Sequence, residues 1–224
     1  MKVLELFAGS RSIGRTADAM GHNVFSVDWT NYDDIDLVTD IGKMKISDVP
    51  FIPDVIWASP DCTTYSIAAI STHRHKEDRS GKTDYAKQCD ITNQHWLSLI
   101  EEWLLINPNL IYYIENPRGG LRKMPWMQSH PIRHTVWYCQ YGDDRAKPTD
   151  IWTNNIKWIP RPECHNKRNG IDHCHHQSAP RGSKTGTQGR KGSYERSMIP
   201  KELCVEVIKA SEPSKIWNIP PIGL

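Results

Sequence analysis

"KVLELFAGSRSIGRTADAMGHNVFSVDW", residues 2–29, holds a buried strand, a glycine turn, a short helix and a second strand. Its opening run, KVLELFAG, is almost continuously apolar, as expected for a strand that is covered on both faces. The segment RSIGRTADAMG has the composition of a helix that ends at Gly21, and NVFSVDW is the second strand. A strand–helix–strand unit of this kind is typical of a parallel sheet with helices packed on it.

The rest of the chain extends this pattern. DLVTDI is a weak third strand, DVIWAS a fourth and NLIYYIENP a fifth, whereas HTVWYCQYG and TDIWTN could pair as a hairpin at the sheet edge. Residues 85–106 carry apolar side chains at helical spacing, and IPKELCVEVIKA is a final short helix. We therefore expect an α/β fold with a doubly wound, mostly parallel sheet. Residues 71–84 are polar and without periodicity, which predicts a loop.

The composition indicates the broad class of protein. The chain has 224 residues, a net charge of +2, a hydrophobic content of 38% and a mean hydropathy of -0.60. No stretch has the roughly 20 apolar residues that span a bilayer, and the N-terminus lacks the pattern of a signal peptide. The six cysteines have no regular spacing, which favours reduced thiols. These features predict a cytoplasmic protein without a membrane partner, and we expect a monomer.

The residues just beyond each strand are candidates for chemistry, because ligands bind at the carboxyl ends of parallel strands. The first strand leads into a glycine turn and a helix start, which can offer N–H groups to an anion or let a cofactor approach the backbone. The second strand ends in Asp28 and Trp29, where a carboxylate suits ribose hydroxyls and an indole can stack on adenine.

The fourth strand ends in Ser59-Pro60-Asp61-Cys62 and the fifth in Glu115-Asn116-Pro117. In a parallel sheet these two ends can be neighbours. A thiol beside a carboxyl group is typical of a covalent nucleophile with an acid partner. The alternative for Cys62 is a small buried hydrophobic residue, which is how many free cysteines serve.

Four segments, in the same order, resemble the motifs of the cytosine-C5 DNA methyltransferases. The first motif, Phe-x-Gly-x-Gly, is similar to residues 7–11, and the Pro-Cys loop is similar to PDCTTYS at residues 60–66. The Glu-Asn-Val motif resembles residues 115–117, and RSMIPKELC resembles the last motif, which returns to the cofactor site. The resemblance covers residues 1–152 and 196–210, and the compact chain resembles short members from phages.

This resemblance implies an S-adenosylmethionine-dependent methyltransferase fold and methyl transfer to C5 of cytosine in DNA. It implies that Cys62 adds to C6 of a flipped base and that Glu115 acts on N3. The 71–84 loop, with His73, Arg74, His75 and Lys76, would close over the nucleotide, or else be a solvated linker. The implied cofactor-binding residues are Phe7, Gly9, Asp28, Trp29, Asp40, Ser59 and Pro60.

The chain departs from the family pattern at several positions. Arg11 stands where the second glycine of the first motif belongs. Asp61 replaces the proline before the cysteine, which puts a negative charge beside a thiol that must ionise. In place of the Gln-x-Arg-x-Arg motif, Arg145 falls on the Gln position and Lys147 on the first Arg, so these two are further catalytic candidates and Lys147 could contact the cytosine O2.

The resemblance divides the chain into a catalytic domain at residues 1–152, an insert at 153–195 and a C-terminal helix and tail at 196–224 that return to the catalytic domain. The insert occupies the place of the family's target-recognition region and is basic, with cysteines and histidines in CHNKRNGIDHCHH. Zinc is one interpretation of this segment and a flexible basic loop is the other. The candidate zinc ligands are Cys164, His173, Cys174 and His176.

Two other functions fit parts of the pattern. An amino-methyltransferase also carries its catalytic loop after the fourth strand, but SPDC lacks that loop's second proline and aromatic residue, and that chemistry needs no cysteine. A catalytically silent DNA-binding homologue is favoured by Asp61 and by the altered Gln-x-Arg-x-Arg segment.

Overall fold

The computed structural model of the protein describes residues 1–164, 174–176 and 192–213. One seven-stranded sheet lies at its centre, with strand order β3-β2-β1-β4-β5-β7-β6. Strands β1 to β5 are parallel, and β7 runs antiparallel to both β5 and β6. The strands are β1 (Lys2–Leu6), β2 (Asn23–Asp28), β3 (Leu37–Val38), β4 (Val55–Ala58), β5 (Ile111–Pro117), β6 (Ile132–Trp137) and β7 (Pro148–Thr153).

Five α-helices accompany the sheet in the described part of the chain, and they are α1 (Ser12–Ala19), α2 (Ile70–His73), α3 (Asp84–Ile106), α4 (Ser193–Ser197) and α5 (Lys201–Ser211). The long helix α3 begins where the Thr83 hydroxyl accepts a hydrogen bond from the backbone N–H of Ala86, the usual role of an N-cap threonine. It ends before Asn107-Pro108, because the residue ahead of a proline is disfavoured in helical conformation. None of these helices is long and apolar enough to cross a bilayer.

The core has two layers because every side chain of β4 is buried, and successive side chains point to opposite faces of the sheet. Ile56 and Ala58 pack in the layer that α3 covers with Trp96 and Trp103. The other layer receives the remaining two side chains of β4 and is covered by α1 and α5. A sheet covered by helices on both faces explains why its central strands are nearly continuous apolar runs.

The predicted fold class is confirmed, including the hairpin of β6 and β7 at one edge of the sheet. The prediction that residues 71–84 form only a loop is wrong in part. Helix α2 extends into this segment, and Arg74 pairs with Gly81 in an isolated antiparallel bridge. Arg74 is also almost completely buried, so it does not extend over a bound nucleotide.

Candidate active site

The loop that carries the candidate nucleophile Cys62 begins directly after β4. Because β4 pairs in parallel with β5, with Ala58 opposite Ile114, the residues that follow these two strands emerge at the same edge of the sheet. The side-chain amide of Asn116 donates a 2.9 Å hydrogen bond to the carbonyl oxygen of Pro60 and so ties the two strand ends together. The predicted proximity of the Cys62 and Glu115 segments follows from this strand pairing.

Glu115 is buried, and two donors lie beside its carboxylate. The hydroxyl of Tyr138 donates to Oε1 at 3.0 Å, and the ammonium group of Lys147 lies 3.7 Å from the same oxygen. Lys147 directly precedes β7 and adopts a positive φ of 25°. Its ammonium group also lies 4.5 Å from the centroid of the Tyr138 ring and donates to the carbonyl oxygen of Arg196. The sequence identified Lys147 as a candidate site residue but did not identify Tyr138.

The environment of Cys62 disfavours its thiolate. The side chain is half-buried, and burial, followed by the neighbouring charge of Asp61, raises the pKa of the thiol to about 11. Lys147 opposes this change and Glu115 adds to it. Lys147 is thus a cation that offsets part of the effect of Asp61 on the thiol, although burial and the two carboxylates outweigh it.

Asp61 has a structural role that the sequence did not reveal. Its Oδ1 accepts hydrogen bonds from the backbone N–H of Thr63 at 2.8 Å and from the Thr63 hydroxyl at 2.6 Å. Its Oδ2 accepts a hydrogen bond from the hydroxyl of Tyr85 on α3. The carboxylate therefore closes the turn after Cys62 and fastens it to α3, which is a typical use of aspartate in turns.

Arg74 holds the loop that carries Cys62 in place through buried contacts. Its guanidinium group donates to the carbonyl oxygen of Thr64 at 2.9 Å and pairs with the Asp90 carboxylate at 2.9 Å. It also stacks on the Tyr65 ring, 3.9 Å from the centroid, and the Tyr65 hydroxyl donates to Asp90. A buried arginine with its donors used in this way positions the backbone that carries Cys62.

Arg145 lies near the site but its donors face away from Glu115. It is buried, forms an ion pair with Asp143, and donates to the carbonyl oxygens of Arg196 and Met198. The structure thus places Arg145 where it holds the returning C-terminal segment, whereas Lys147 is the one that contacts Glu115.

The turn after β1 has an unusual backbone. Phe7, Gly9 and Arg11 all have φ between 50° and 56°, a region that favours glycine. Arg11, in place of the family's second glycine, therefore retains a glycine-like conformation. Its buried side chain donates to the Ser26 hydroxyl at 2.8 Å and pairs with Asp18 at 3.0 Å, which offsets part of the strain.

The N-terminus of α1 does not offer its first N–H groups to a ligand. Those of Ile13 and Gly14 donate to the two carboxylate oxygens of Glu5, a buried residue of β1. Burial raises the pKa of Glu5 to about 7, although these hydrogen bonds and Arg11 oppose the change. Of the two sequence interpretations of this turn, close approach of a cofactor to the backbone is the one that the geometry favours.

Of the other cofactor candidates, Asp28 contacts Gly9 of this turn. Asp28 is buried, and its two oxygens accept hydrogen bonds from the backbone N–H groups of Gly9 and Thr30 at 2.9 and 2.8 Å. Trp29 follows with 80% of its side chain exposed, whereas Asp40 is an exposed cap of the next short helix. The Ser59 hydroxyl accepts from the Trp57 indole, and buried Pro60 lies beside Asn116.

The segment before α5 returns to the same turn. A Cβ atom on Gly9 would lie 3.3 Å from the Ser197 hydroxyl, and the backbone N–H of Ile199 donates to the Ser12 hydroxyl. The rings of Tyr32 and Tyr194 are 5.3 Å apart. The segment that resembles the family's last motif therefore lies against Gly9 of the first motif and the start of α1, and Tyr194, just before that segment, contacts the loop after β2.

Four potential metal ligands lie together beyond the end of β6. The ligand atoms of Cys139, Cys164, Cys174 and His176 all lie within 4.8 Å of one another. Three of them are predicted zinc ligands, and the fourth predicted ligand, His173, lies outside the described residues. Cys139 was not predicted, because in the sequence it is one apolar residue at the end of a strand.

The strand order and the helices on both faces of the sheet are those of a methyltransferase fold of the S-adenosylmethionine-dependent type. No family model matches the chain. A protein of Frog virus 3 (isolate Goorha) named "Probable DNA (cytosine-5)-methyltransferase" is 26% identical over 221 residues, which cover 93% of this chain and 99% of that protein. This similarity along the whole chain confirms the resemblance to the cytosine-C5 DNA methyltransferases.

A solved structure agrees at the level of the fold. A methyltransferase of Entamoeba histolytica superposes with a TM-score of 0.52 and 13% identity, over 75% of this chain and 57% of its own. The Dnmt2 methyltransferase of S. pombe gives a TM-score of 0.48 and 13% identity, over 74% of this chain and 52% of its own. The chain thus spans little more than half the length of these solved proteins.

Proposed function

We propose that this protein transfers a methyl group from S-adenosylmethionine to C5 of cytosine in DNA, with Cys62 as a covalent nucleophile. The observation that carries this proposal is the convergence of Cys62, Glu115 and Lys147 at one edge of the sheet. The ammonium group of Lys147 lies 3.7 Å from the Glu115 carboxylate, and the charges of both groups act on the pKa of the Cys62 thiol, which supports a shared site. The name of the Frog virus 3 relative supports the same reaction.

The residues at the ends of β1 and β2 fit the cofactor. Each carboxylate oxygen of Asp28 accepts one backbone N–H, and a carboxylate oxygen can accept about two hydrogen bonds, so one position on each remains for a ribose hydroxyl. The exposed ring of Trp29 offers a face to adenine. When bound, S-adenosylmethionine supplies an electrophilic methyl group.

The protein's part in the reaction is to make C5 of the base nucleophilic. The Cys62 thiolate adds to C6 of cytosine, and the electron pair of the C5–C6 bond moves into the ring. Glu115 supports this by proton donation or hydrogen bonding at N3, and Lys147 does so at O2. C5 would then take the methyl group as the methyl–sulfonium bond breaks and the cofactor leaves as its thioether. Loss of the C5 proton to a base re-forms the C5–C6 double bond, and the C6–S bond breaks to release Cys62.

The local contacts of Glu115 suit this role. Tyr138 donates to Oε1 and Lys147 lies beside it, whereas no hydrogen bond within the described residues engages Oε2. Oε2 is therefore the oxygen assigned to the base. Since the base must leave its stack to reach Cys62, we include base flipping in the proposal. The exposed His75 and Lys76 would face the DNA phosphates.

One observation favours the alternative of a catalytically silent DNA-binding homologue. A thiol whose pKa is about 11 is almost entirely protonated near neutral pH. The active enzyme must therefore generate the thiolate after the base binds, for example by proton transfer within the site. A silent homologue would bind S-adenosylmethionine and DNA without methyl transfer.

The decisive experiment is incubation with S-adenosylmethionine carrying a labelled methyl group and mixed-sequence DNA, followed by nucleoside analysis. Label in 5-methylcytosine supports the proposal, label on an exocyclic amine supports the amino-methyltransferase, and cofactor binding without transfer supports the silent homologue. Cys62→Ala should abolish transfer while leaving cofactor affinity nearly unchanged. Cys89→Ala, at another half-buried cysteine, is the matched control and should retain activity.

DNA containing 5-fluorocytosine gives an independent test of the covalent step. Fluorine at C5 cannot leave as a proton does, so the base should remain attached to Cys62 after methylation. A protein–DNA adduct that forms with wild type and Cys89→Ala, but not with Cys62→Ala, is the expected result. An active enzyme that leaves no adduct would rule out addition of Cys62 to C6.

A further inference from the structure

The cluster beyond β6 draws its members from three places in the chain. Cys139 lies in the short 3-10 helix Tyr138–Tyr141, which follows β6 in the sheet. Cys164 lies about ten residues beyond β7, and Cys174 and His176 lie within the insert. Residues so distant in sequence meet only if the insert folds back against the catalytic domain.

The spacing of the ligand atoms suits a tetrahedral ion. Zinc–sulfur and zinc–nitrogen bonds of about 2.3 and 2.1 Å place tetrahedral ligands roughly 3.6–3.8 Å apart. The Cys164 sulfur lies 3.7 Å from His176 Nδ1, and the Cys174 sulfur lies 2.9 Å from the same nitrogen. All four ligand atoms fall within 4.8 Å of one another, so small side-chain adjustments reach the tetrahedral distances.

The chemistry of these four ligands favours zinc over magnesium and calcium. Three thiols and one imidazole form one of the common structural zinc sets, whereas Mg²⁺ and Ca²⁺ prefer oxygen ligands. Cys139 and Cys164 are buried, and Cys174 and His176 are half-buried, so the set is largely shielded from water. The side-chain amide of Gln140 approaches the Cys174 sulfur at 4.0 Å, in the manner of the outer contacts that orient metal-bound thiolates.

We propose that Cys139, Cys164, Cys174 and His176 bind one structural zinc ion. Four protein ligands close the coordination sphere, so the ion has no open position for catalysis. The ion connects Cys164, Cys174 and His176 to the 3-10 helix that carries Tyr138. The hydroxyl of Tyr138 in turn donates a hydrogen bond to Glu115. The site therefore links the insert to the geometry of the active site.

This ligand set differs from the one predicted from sequence. The described residues supply four ligands, His173 lies outside them, and Cys139 comes from the 3-10 helix that follows β6. Spacing within the insert alone appeared irregular because one ligand lies 25 positions before Cys164.

The test is the metal content of the full chain purified without a histidine tag. We expect about one zinc per chain for wild type. His176→Ala removes one ligand and should weaken zinc binding by more than about 100-fold, since even changes to outer contacts cost about 10- to 100-fold. His175→Ala is the matched control, because His175 is exposed and its Nε2 contacts the Asp143 carbonyl oxygen instead. It should retain zinc with an affinity within about twofold of wild type.

Wild type purified from cells grown with Co²⁺ in place of Zn²⁺ keeps the proposal testable if His176→Ala does not fold. A thiolate-to-cobalt charge-transfer band together with intense visible bands is expected for a tetrahedral site with cysteine ligands. Metal-free wild type, iron with acid-labile sulfide, or full zinc content in His176→Ala would each overturn the proposal. Equal zinc loss in His175→Ala and His176→Ala would also overturn the assigned ligand set.

Discussion

Replacing Glu5 with glutamine should remove a defined component of the pH dependence of stability. Glu5 is buried in β1, and burial raises its pKa from 4.5 to about 7 in the folded protein. An acid with a raised pKa in the folded state favours folding when it is protonated. Its contribution is therefore fully present below pH 4.5 and is lost as pH rises through 7.

The size of the effect follows from the two pKa values. A difference of about 2.5 between the unfolded and folded protein corresponds to about 3 kcal/mol, at about 1.4 kcal/mol for each pKa unit. About 2.5 kcal/mol of this falls between pH 5 and pH 8. Glutamine does not titrate, so Glu5→Gln should gain this amount relative to wild type across that interval, whatever their difference at pH 5.

Urea unfolding of both proteins at several pH values measures the quantity directly, because all other titrating groups cancel in the difference. Glu102→Gln, at an exposed position of α3, is the control and should follow wild type in parallel. A free-energy difference between wild type and Glu5→Gln that stays constant from pH 5 to pH 8 would show that Glu5 is ionised when folded. The account of its burial would then be wrong.

Three further substitutions test the site. Asp61→Asn removes a negative charge beside Cys62 but keeps an acceptor for the Thr63 turn. Alkylation of the Cys62 thiol at pH 8 should therefore become about two- to fivefold faster. An unchanged alkylation rate would contradict the effect of the Asp61 charge on the thiol. Lys147→Met should lower the single-turnover methylation rate by roughly 10- to 100-fold with little change in cofactor affinity, and equal losses in both would place Lys147 at the cofactor instead. Arg74→Met leaves the half-buried Asp90 without its cationic partner and should cost about 3 kcal/mol in urea unfolding, the low end for loss of one member of a buried ion pair. Unchanged stability with weakened DNA binding would instead support a phosphate contact for Arg74.

The sequence predicted the sheet well because its strands are covered on both faces. A short, continuous apolar run such as the one in β4 is typical of a buried strand and fits few other structures. The order of strands and helices along the chain then leaves few possible sheet topologies. The residues Cys62 and Glu115 were identifiable because they lie at or just beyond the carboxyl ends of such strands. Their proximity needs only the pairing of β4 with β5.

The residues that the sequence did not reveal act through contacts between distant segments. Tyr138 and Cys139 are ordinary members of an aromatic and apolar run, and their roles depend on Glu115 and on the insert. Arg74 lies in a polar segment whose composition predicts exposure, yet its partner Asp90 is on α3. Glu5 could have been identified from the sequence, because a lone carboxylate within a buried apolar strand needs hydrogen-bond donors in the core.

The packing of α5 against α1 has a consequence for how the chain folds during synthesis. Val3 and Trp57 in the sheet share one apolar layer with Leu203 and Val207, so before α5 is synthesised this face of β1 and β4 is covered only in part, by residues such as Ile13 of α1. Elongation at about 5–20 residues per second leaves roughly 10–40 seconds between the synthesis of β1 and that of α5. Part of the apolar surface of the nascent sheet therefore stays exposed to water until α5 closes the layer.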